Sequence, residues 1–247
     1  ILILAFNLGY AGRVINGPGI SLHNFCNILQ KNNINFNVST VLSTRKEFLK
    51  PYVLNKQILN IKNKNEYSHI HIWSNIGNYF DSILKRFNYE KIIIGPNFID
   101  FVDIEKEKFL IKSLPDSKKE FFVVNDNFKK KLYEKYNISS KILSIGPDFN
   151  DWPFEENKKP FVLWKGNSSH KVKNIEQALE IKRIMKKYNF VIMGHPHPYS
   201  YRNHINIAKK AKLYFTTSFS ETKGNTVSEQ MACGTPCITN HNIFFKG

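Results

Sequence analysis

Ser220-Glu-Thr-Lys-Gly-Asn-Thr-Val-Ser-Glu-Gln-Met-Ala-Cys-Gly-Thr-Pro-Cys-Ile238 is the stretch on which the fold of this chain turns. Ahead of it runs Leu213-Tyr-Phe-Thr-Thr217, apolar, aromatic and β-branched, which reads as a strand. After Thr226 an amphipathic segment begins that stops at Cys233-Gly234-Thr-Pro236, a glycine and proline pair that ends helices. The order is therefore strand, loop, helix, turn, strand, and Glu221 falls at the carboxyl end of the first strand. In open α/β sheets, ligands collect beyond strand carboxyl ends. A helix amino terminus there offers phosphate its free N–H groups and a positive dipole end. Residues Lys223 to Thr226 supply those groups.

Two glutamates, Glu221 and Glu229, stand eight positions apart across that helix start. Each has an ordinary explanation. Thr226 and Glu229 match the T-x-x-E capping box, in which the glutamate bonds back to the N–H of the cap residue. Glu221 reads equally as a solvated loop acid. Taken together, SE-x-x-G-x-x-x-x-E-x-M-A-C-G-T-P-C-I resembles the signature of the retaining nucleotide-sugar glycosyltransferases of the GT-B fold, the "group 1" or family-4 type. The resemblance implies that Glu221 lies beside the transferred sugar, with the amides of Gly224, Asn225 and Thr226 near the sugar and phosphates. It also implies that Glu229 accepts hydrogen bonds from the donor's ribose hydroxyls, a task suited to an acceptor-only carboxylate, while serving as cap.

The rest of the chain alternates strand and helix patterns, which argues for parallel sheets with helices on both faces. Strands are expected at Ile1–Phe6, Phe36–Val41, Ile70–Trp73, Ile92–Ile94 and Phe121–Val124, with helices at about Ile20–Gln30 and Asn127–Tyr136. Gly146-Pro-Asp148 resembles the family's exit from its first domain. The expected division is 1–149, an acceptor-side Rossmann-like domain, and 150–247, a nucleotide-sugar domain that the resemblance to the family reads as incomplete at its carboxyl end. The second alternation has strands at Phe161–Trp164, Asn189–Met193, Leu213–Thr217 and Cys237–Thr239. The fold class is α/β, GT-B, two Rossmann-like domains facing each other across a cleft.

Two further loops carry phosphate expectations. Asn7 to Gly19 is glycine-rich but is not the dinucleotide fingerprint G-x-G-x-x-G. In the family a glycine pair here approaches the donor phosphates, so the resemblance implies that role for Gly17 and Gly19, with Arg13 as a further phosphate or acceptor contact. In Leu163 to Leu179, family members place an arginine and a lysine that neutralise the diphosphate leaving group. This chain offers Lys171, Lys165 and Lys173 without the arginine. Lys171 is the first choice for catalysis and Lys165 the second, with Lys173 on the donor phosphates. A positive charge at the leaving oxygen follows the logic of an oxyanion hole, and each lysine also reads as a solvated surface residue.

His195 and His197 lack the further ligands that zinc requires, so no metal is assigned. His69 and His71 share one strand face and read as packing or cleft lining. Gly95-Pro96-Asn97 occupies the loop where the family carries a histidine near the reacting sugar. The co-substrate implied is a nucleoside-diphosphate sugar, with no other cofactor.

The 36 Lys and Arg against 20 Asp and Glu leave a net charge of +16, which fits an anionic membrane bearing lipid-linked saccharides, an anionic glycan, or nucleic acid. Abundant Lys, Asn, Ile and Tyr also suit compositional drift. Three cysteines at no metal spacing and the lack of any run approaching a membrane span suggest a cytoplasmic protein, with peripheral contact to an anionic membrane as a further reading. Two alternatives stay open. One is a phage-type DNA glycosyltransferase holding backbone with Arg13, Lys46, Lys50, Lys85 and Arg86 and stacking an extruded base on Tyr10, Tyr79 or Phe80. The other is an inactive binding protein on the same fold.

Overall fold

The computed structural model describes residues 1–5, 17–40, 67–74, 87–97, 115–166, 168, 171–195, 201–219, 221 and 224–240. Residues 7–16 with Arg13, the lysine Lys223, His197, and the residues named for the DNA alternative, Tyr10, Lys46, Lys50, Tyr79, Phe80, Lys85 and Arg86, lie outside the described residues. The described residues up to Ile145 form one compact unit, and those from Gly146 form a second.

The first unit is built on β1 (Leu2–Ala5), β2 (Asn37–Thr40), β3 (His69–Ser74), β4 (Lys91–Asn97), β5 (Lys119–Val123) and β6 (Lys141–Ile142). They pair in parallel in the order β2-β1-β3-β4-β5-β6. All four residues of β1 are buried, because the strand is covered on both faces. The two-residue period sends Leu2 and Leu4 into one core with Ile70, Ile72, Ile92 and Ile94. It sends Ile3 and Ala5 into another with Leu22, Cys26 and Leu29 of α1 (Gly17–Lys31). Leu132 of α2 (Asp126–Tyr136) covers the first face. Asn125 caps that helix by accepting from Phe128 N–H at 3.0 Å.

Helix α1 starts three residues earlier than the sequence pattern suggests, so Gly17 and Gly19 belong to its first turn and not to a loop. Pro18 fits there, since the first helical N–H groups have no intrahelical partner to lose.

His71 is enclosed at the face of β3 against Phe25 and Trp73, with ring centroids 5.5 and 5.3 Å away. Its Nε2 lies 2.8 Å from Gly95 O, which can only accept, so Nε2 carries the proton. Burial lowers its pKa from 6.5 to about 4. A histidine lowered on folding stabilises the native state above pH 6.5, and that contribution is lost as pH falls toward 4, about 3 kcal/mol in all. The urea midpoint is expected to fall between pH 7 and 4.5. His71→Gln keeps a donor for Gly95 O but cannot titrate, so it should flatten that limb; an unchanged slope would contradict the assignment.

The second unit carries β7 (Lys159–Lys165), β8 (Asn189–Met193), β9 (Ala211–Phe215) and β10 (Cys237–Ile238), parallel in the order β10-β9-β7-β8. Phe161 and Leu163 of β7 pack with Ala208 of α4 (Tyr201–Ala208) and Val227 of α5 (Asn225–Ala232). Trp164 turns the other way, onto Ile175 and Ala178 of α3 (Ile175–Ile184). β9 ends at Phe215, two residues short of the pattern in the sequence. Thr216 Oγ1 accepts from Ser218 N, a local bond that competes with the strand, and the Thr217 hydroxyl is engaged by the distant carbonyls of Lys173 and Asn174. Lys158 ties the amino end of this unit together, its ammonium donating to Lys209 O, Cys233 O and Thr235 Oγ1 at 2.8, 2.7 and 2.9 Å.

Cys26 and Cys233 are buried, Cys237 is partly so, and all three thiols are free; burial pushes Cys26 up to about 12. Among the described residues no helix is long and apolar enough to cross a membrane.

Candidate functional site

The site gathers in the second unit at the carboxyl ends of β7, β8 and β9. Gly224, in the left-handed region at φ 63°, is the N-cap of α5. Thr226 is therefore inside the first turn and cannot act as cap, which overturns the capping-box reading of Thr226 and Glu229. A glycine cap places no Cβ in a conformation that L side chains avoid, and Gly224, Asn225 and Thr226 present the start of the helix to whatever lies before it. Glu229 has its side chain only 3% exposed and accepts from Lys165 Nζ at 3.2 Å, with Lys165 retaining 23%. Lys165 is the last residue of β7, so the pair joins a strand end to the helix start.

Lys165 Nζ also lies 3.2 Å from His204 Nδ1. An ammonium only donates, so Nδ1 accepts and the ring is neutral with its proton on Nε2. Burial, then the Lys165 charge, holds His204 well below the ordinary histidine value. Burial also lowers Lys165, and the Glu229 carboxylate pulls in the opposite direction.

Glu221 pairs with Lys173 through Oε1, the two side chains 18% and 24% exposed. Lys173 ends a 3-10 turn, Lys171–Lys173, whose position is fixed from beneath. Buried Trp164 donates Nε1–H to Thr217 Oγ1 at 3.0 Å. The single proton of Thr217 Oγ1 is shared between Lys173 O and Asn174 O, 2.9 and 2.8 Å away. Phe219 N–H bonds to Val172 O at 2.9 Å, joining the β9 loop to the same turn. Ser168 Oγ donates to Gly194 O at 3.2 Å and links the β7 and β8 loops.

Of the three lysines named from sequence, Lys165 and Lys173 meet the two glutamates, whereas Lys171 is exposed. Gly17 and Gly19 lie in the first unit. Sequence reasoning did not single out Trp164, Thr217 or His204. His204 comes from α4, 39 positions beyond Lys165, and no spacing links the two. Among the described residues no group of three or more His, Cys, Asp or Glu gathers as a metal site would.

Four charged groups thus form two ion pairs around one helix start. The carboxylates can take hydroxyl donors, and the ammoniums with the helix N–H groups can take phosphate oxygens. The chain resembles the solved structure of a sucrose-phosphate synthase from Thermosynechococcus elongatus with a TM-score of 0.69 and 11% identity, covering 96% of this chain and 80% of that one. That likeness, with two parallel sheets flanked by helices, shows the GT-B class of fold. A GtfA/B complex is similar at a TM-score of 0.45 and 12% identity over 72% of this chain and 42% of that one, too weak to carry weight. No protein-family model and no curated protein matches the chain.

Proposed function

We propose that the protein is a glycosyltransferase that moves a sugar from a nucleoside-diphosphate donor to a hydroxyl acceptor with retention of anomeric configuration. The acceptor in this reading is a glycan or a lipid-linked saccharide. The observation that carries it is the convergence of Glu221 and Glu229, each paired with a lysine, on the start of α5 at the strand carboxyl ends. The donor half is the second unit, from Gly146 onward, and the first unit serves the acceptor.

In this mechanism Glu229 accepts the ribose hydroxyls and Glu221 orients the transferred sugar. The bond between the anomeric carbon and the β-phosphate oxygen breaks, and the electron pair stays on the phosphate. Lys173 and Lys165, with the N–H groups of Gly224, Asn225 and Thr226, neutralise that charge as it develops. Lys171 drops from first choice to a peripheral place because its side chain faces solvent. The acceptor oxygen bonds to the anomeric carbon on the face that the phosphate leaves, and its proton passes to a phosphate oxygen. Each lysine is held by a carboxylate before the donor arrives. Donor binding therefore exchanges carboxylate for phosphate at the ammonium and frees carboxylate oxygens for sugar and ribose hydroxyls.

Glu221→Ala tests this reading. With the true donor, transfer or donor hydrolysis is expected to fall on the order of 100-fold, the size of effect that a lost positioning contact produces. A variant as active as the wild type would remove Glu221 from the mechanism. Inactivity of both proteins across donors would favour a binding protein on the same fold.

A further inference from the structure

Opposite the candidate site, the second unit ends in an exposed surface of unusual composition. Helix α3 leaves the carboxyl end of β7 and returns to the amino end of β8, so its last residues lie at the amino-terminal end of the parallel sheet. There Ile184 is 66% exposed, Met185 41% and Tyr188 46%. From Glu176 to Tyr188 the acids are Glu176 and Glu180, against Lys182, Arg183, Lys186 and Lys187. Arg183 is occupied by Glu180 through two hydrogen bonds of 2.8 and 2.6 Å, which leaves three lysines against Glu176, the acid of the first turn at the other end of the helix. The Lys187 ammonium sits 5.1 Å from the centre of the Tyr188 ring.

The neighbouring strands begin in the same way. Lys159 opens β7 opposite Ala211 of β9, and Lys209, Lys210 and Lys212 flank that residue. Glu155 and Glu156 are the acids that precede β7. One end of the sheet is thus lined by lysines, with three large apolar side chains projecting among them.

We propose that this amino-terminal end of the four-stranded sheet docks on an anionic lipid bilayer, with Ile184, Met185 and Tyr188 entering the headgroup boundary. The lysines draw the face to negative lipid, and the apolar side chains gain by leaving water, the two components of interfacial binding. Nucleic acid fits less well. Base stacking needs aromatic faces, and two of the three projecting side chains are aliphatic. The inference does not depend on the proposed reaction, because the face lies at the end of the sheet away from the glutamate and lysine pairs.

Sedimentation with vesicles of phosphatidylcholine alone, or with roughly 30% phosphatidylglycerol, tests it. Binding is expected only to the anionic vesicles and should weaken with salt. Lys182→Gln/Lys186→Gln/Lys187→Gln should lower partitioning about 100-fold, at about fivefold per lysine. Ile184→Ser/Met185→Ser/Tyr188→Ser should lower it at least about tenfold. A separate readout needs no loss of binding. Trp73, Trp152 and Trp164 are buried, so the emission of Ile184→Trp reports the face, and it should shift to the blue when anionic vesicles are added. Equal binding to neutral vesicles, undiminished binding by the serine variant, an unmoved emission, or tighter retention of duplex DNA than of anionic vesicles would each overturn the proposal.

Discussion

Glu229→Leu is expected to destabilise the second unit by about 3 kcal/mol, because it leaves the Lys165 ammonium in a largely dry place without its carboxylate. Breaking a buried ion pair typically costs about 3–5 kcal/mol, and the low end applies because Lys165 retains some contact with water. Lys165→Met should be damaging for the mirror reason, since Glu229 is the more deeply buried partner. The double variant Lys165→Met/Glu229→Leu removes both charges and should recover most of the loss. Urea unfolding of the four proteins measures this as a coupling energy. Strictly additive single effects would mean that the pair is not a functional unit, and the picture of a donor site held ready by paired charges would fail with it.

Gly95→Ala should be at least as severe, costing about 4 kcal/mol or more. Gly95 sits in β4 at φ +111°, a region that side-chain-bearing residues rarely enter. A Cβ built there would lie 2.0 Å from Phe122 O and 2.9 Å from Phe122 C, both backbone atoms of β5. No flexible side chain can move aside, so β4 and β5 would have to separate. The hydrogen bond between His71 Nε2 and Gly95 O would be disturbed as well. Limited proteolysis is expected to degrade the first unit in this variant while protecting a fragment that begins near Gly146. A protease pattern and urea midpoint equal to wild type would show that the close approach of the two strands is not required.

The sheets were readable in sequence because their central strands are covered on both faces and so are apolar without interruption. Leu2-Ile-Leu-Ala5 and Phe161-Val-Leu-Trp164 announce themselves in this way. Strand and helix ends were less legible, because they depend on bonds made to distant parts. Thr216 and Thr217 look like strand residues, yet the Thr217 hydroxyl is bonded to carbonyls more than 40 positions earlier. The T-x-x-E pattern at Thr226 was present, but the left-handed Gly224 starts the helix sooner and leaves Glu229 to be claimed by β7.

The lysines show the same limit. Lys171 and Lys173 are equivalent as sequence, but a 3-10 turn advances about 120° per residue, so two positions two apart point in well-separated directions. The Trp164 and Thr217 contacts hold that turn so that Lys173 reaches Glu221 and Lys171 faces solvent. The two glutamates, by contrast, lie within one short stretch, and the resemblance of that whole string, not the spacing of the two acids, singles them out.

The donor site is tested most directly by a thermal-shift panel of UDP, GDP and ADP sugars against the wild type and Glu221→Ala. A ligand that binds only the folded protein, present at about 100 times its Kd, stabilises by about 2.7 kcal/mol, which in a chain of this size raises Tm by roughly 5 °C or more. One nucleotide class is expected to produce this rise in the wild type and a much smaller one in Glu221→Ala. If no nucleotide sugar raises Tm, or if all raise it equally in both proteins, the glutamate and lysine pairs at the start of α5 are not a donor site.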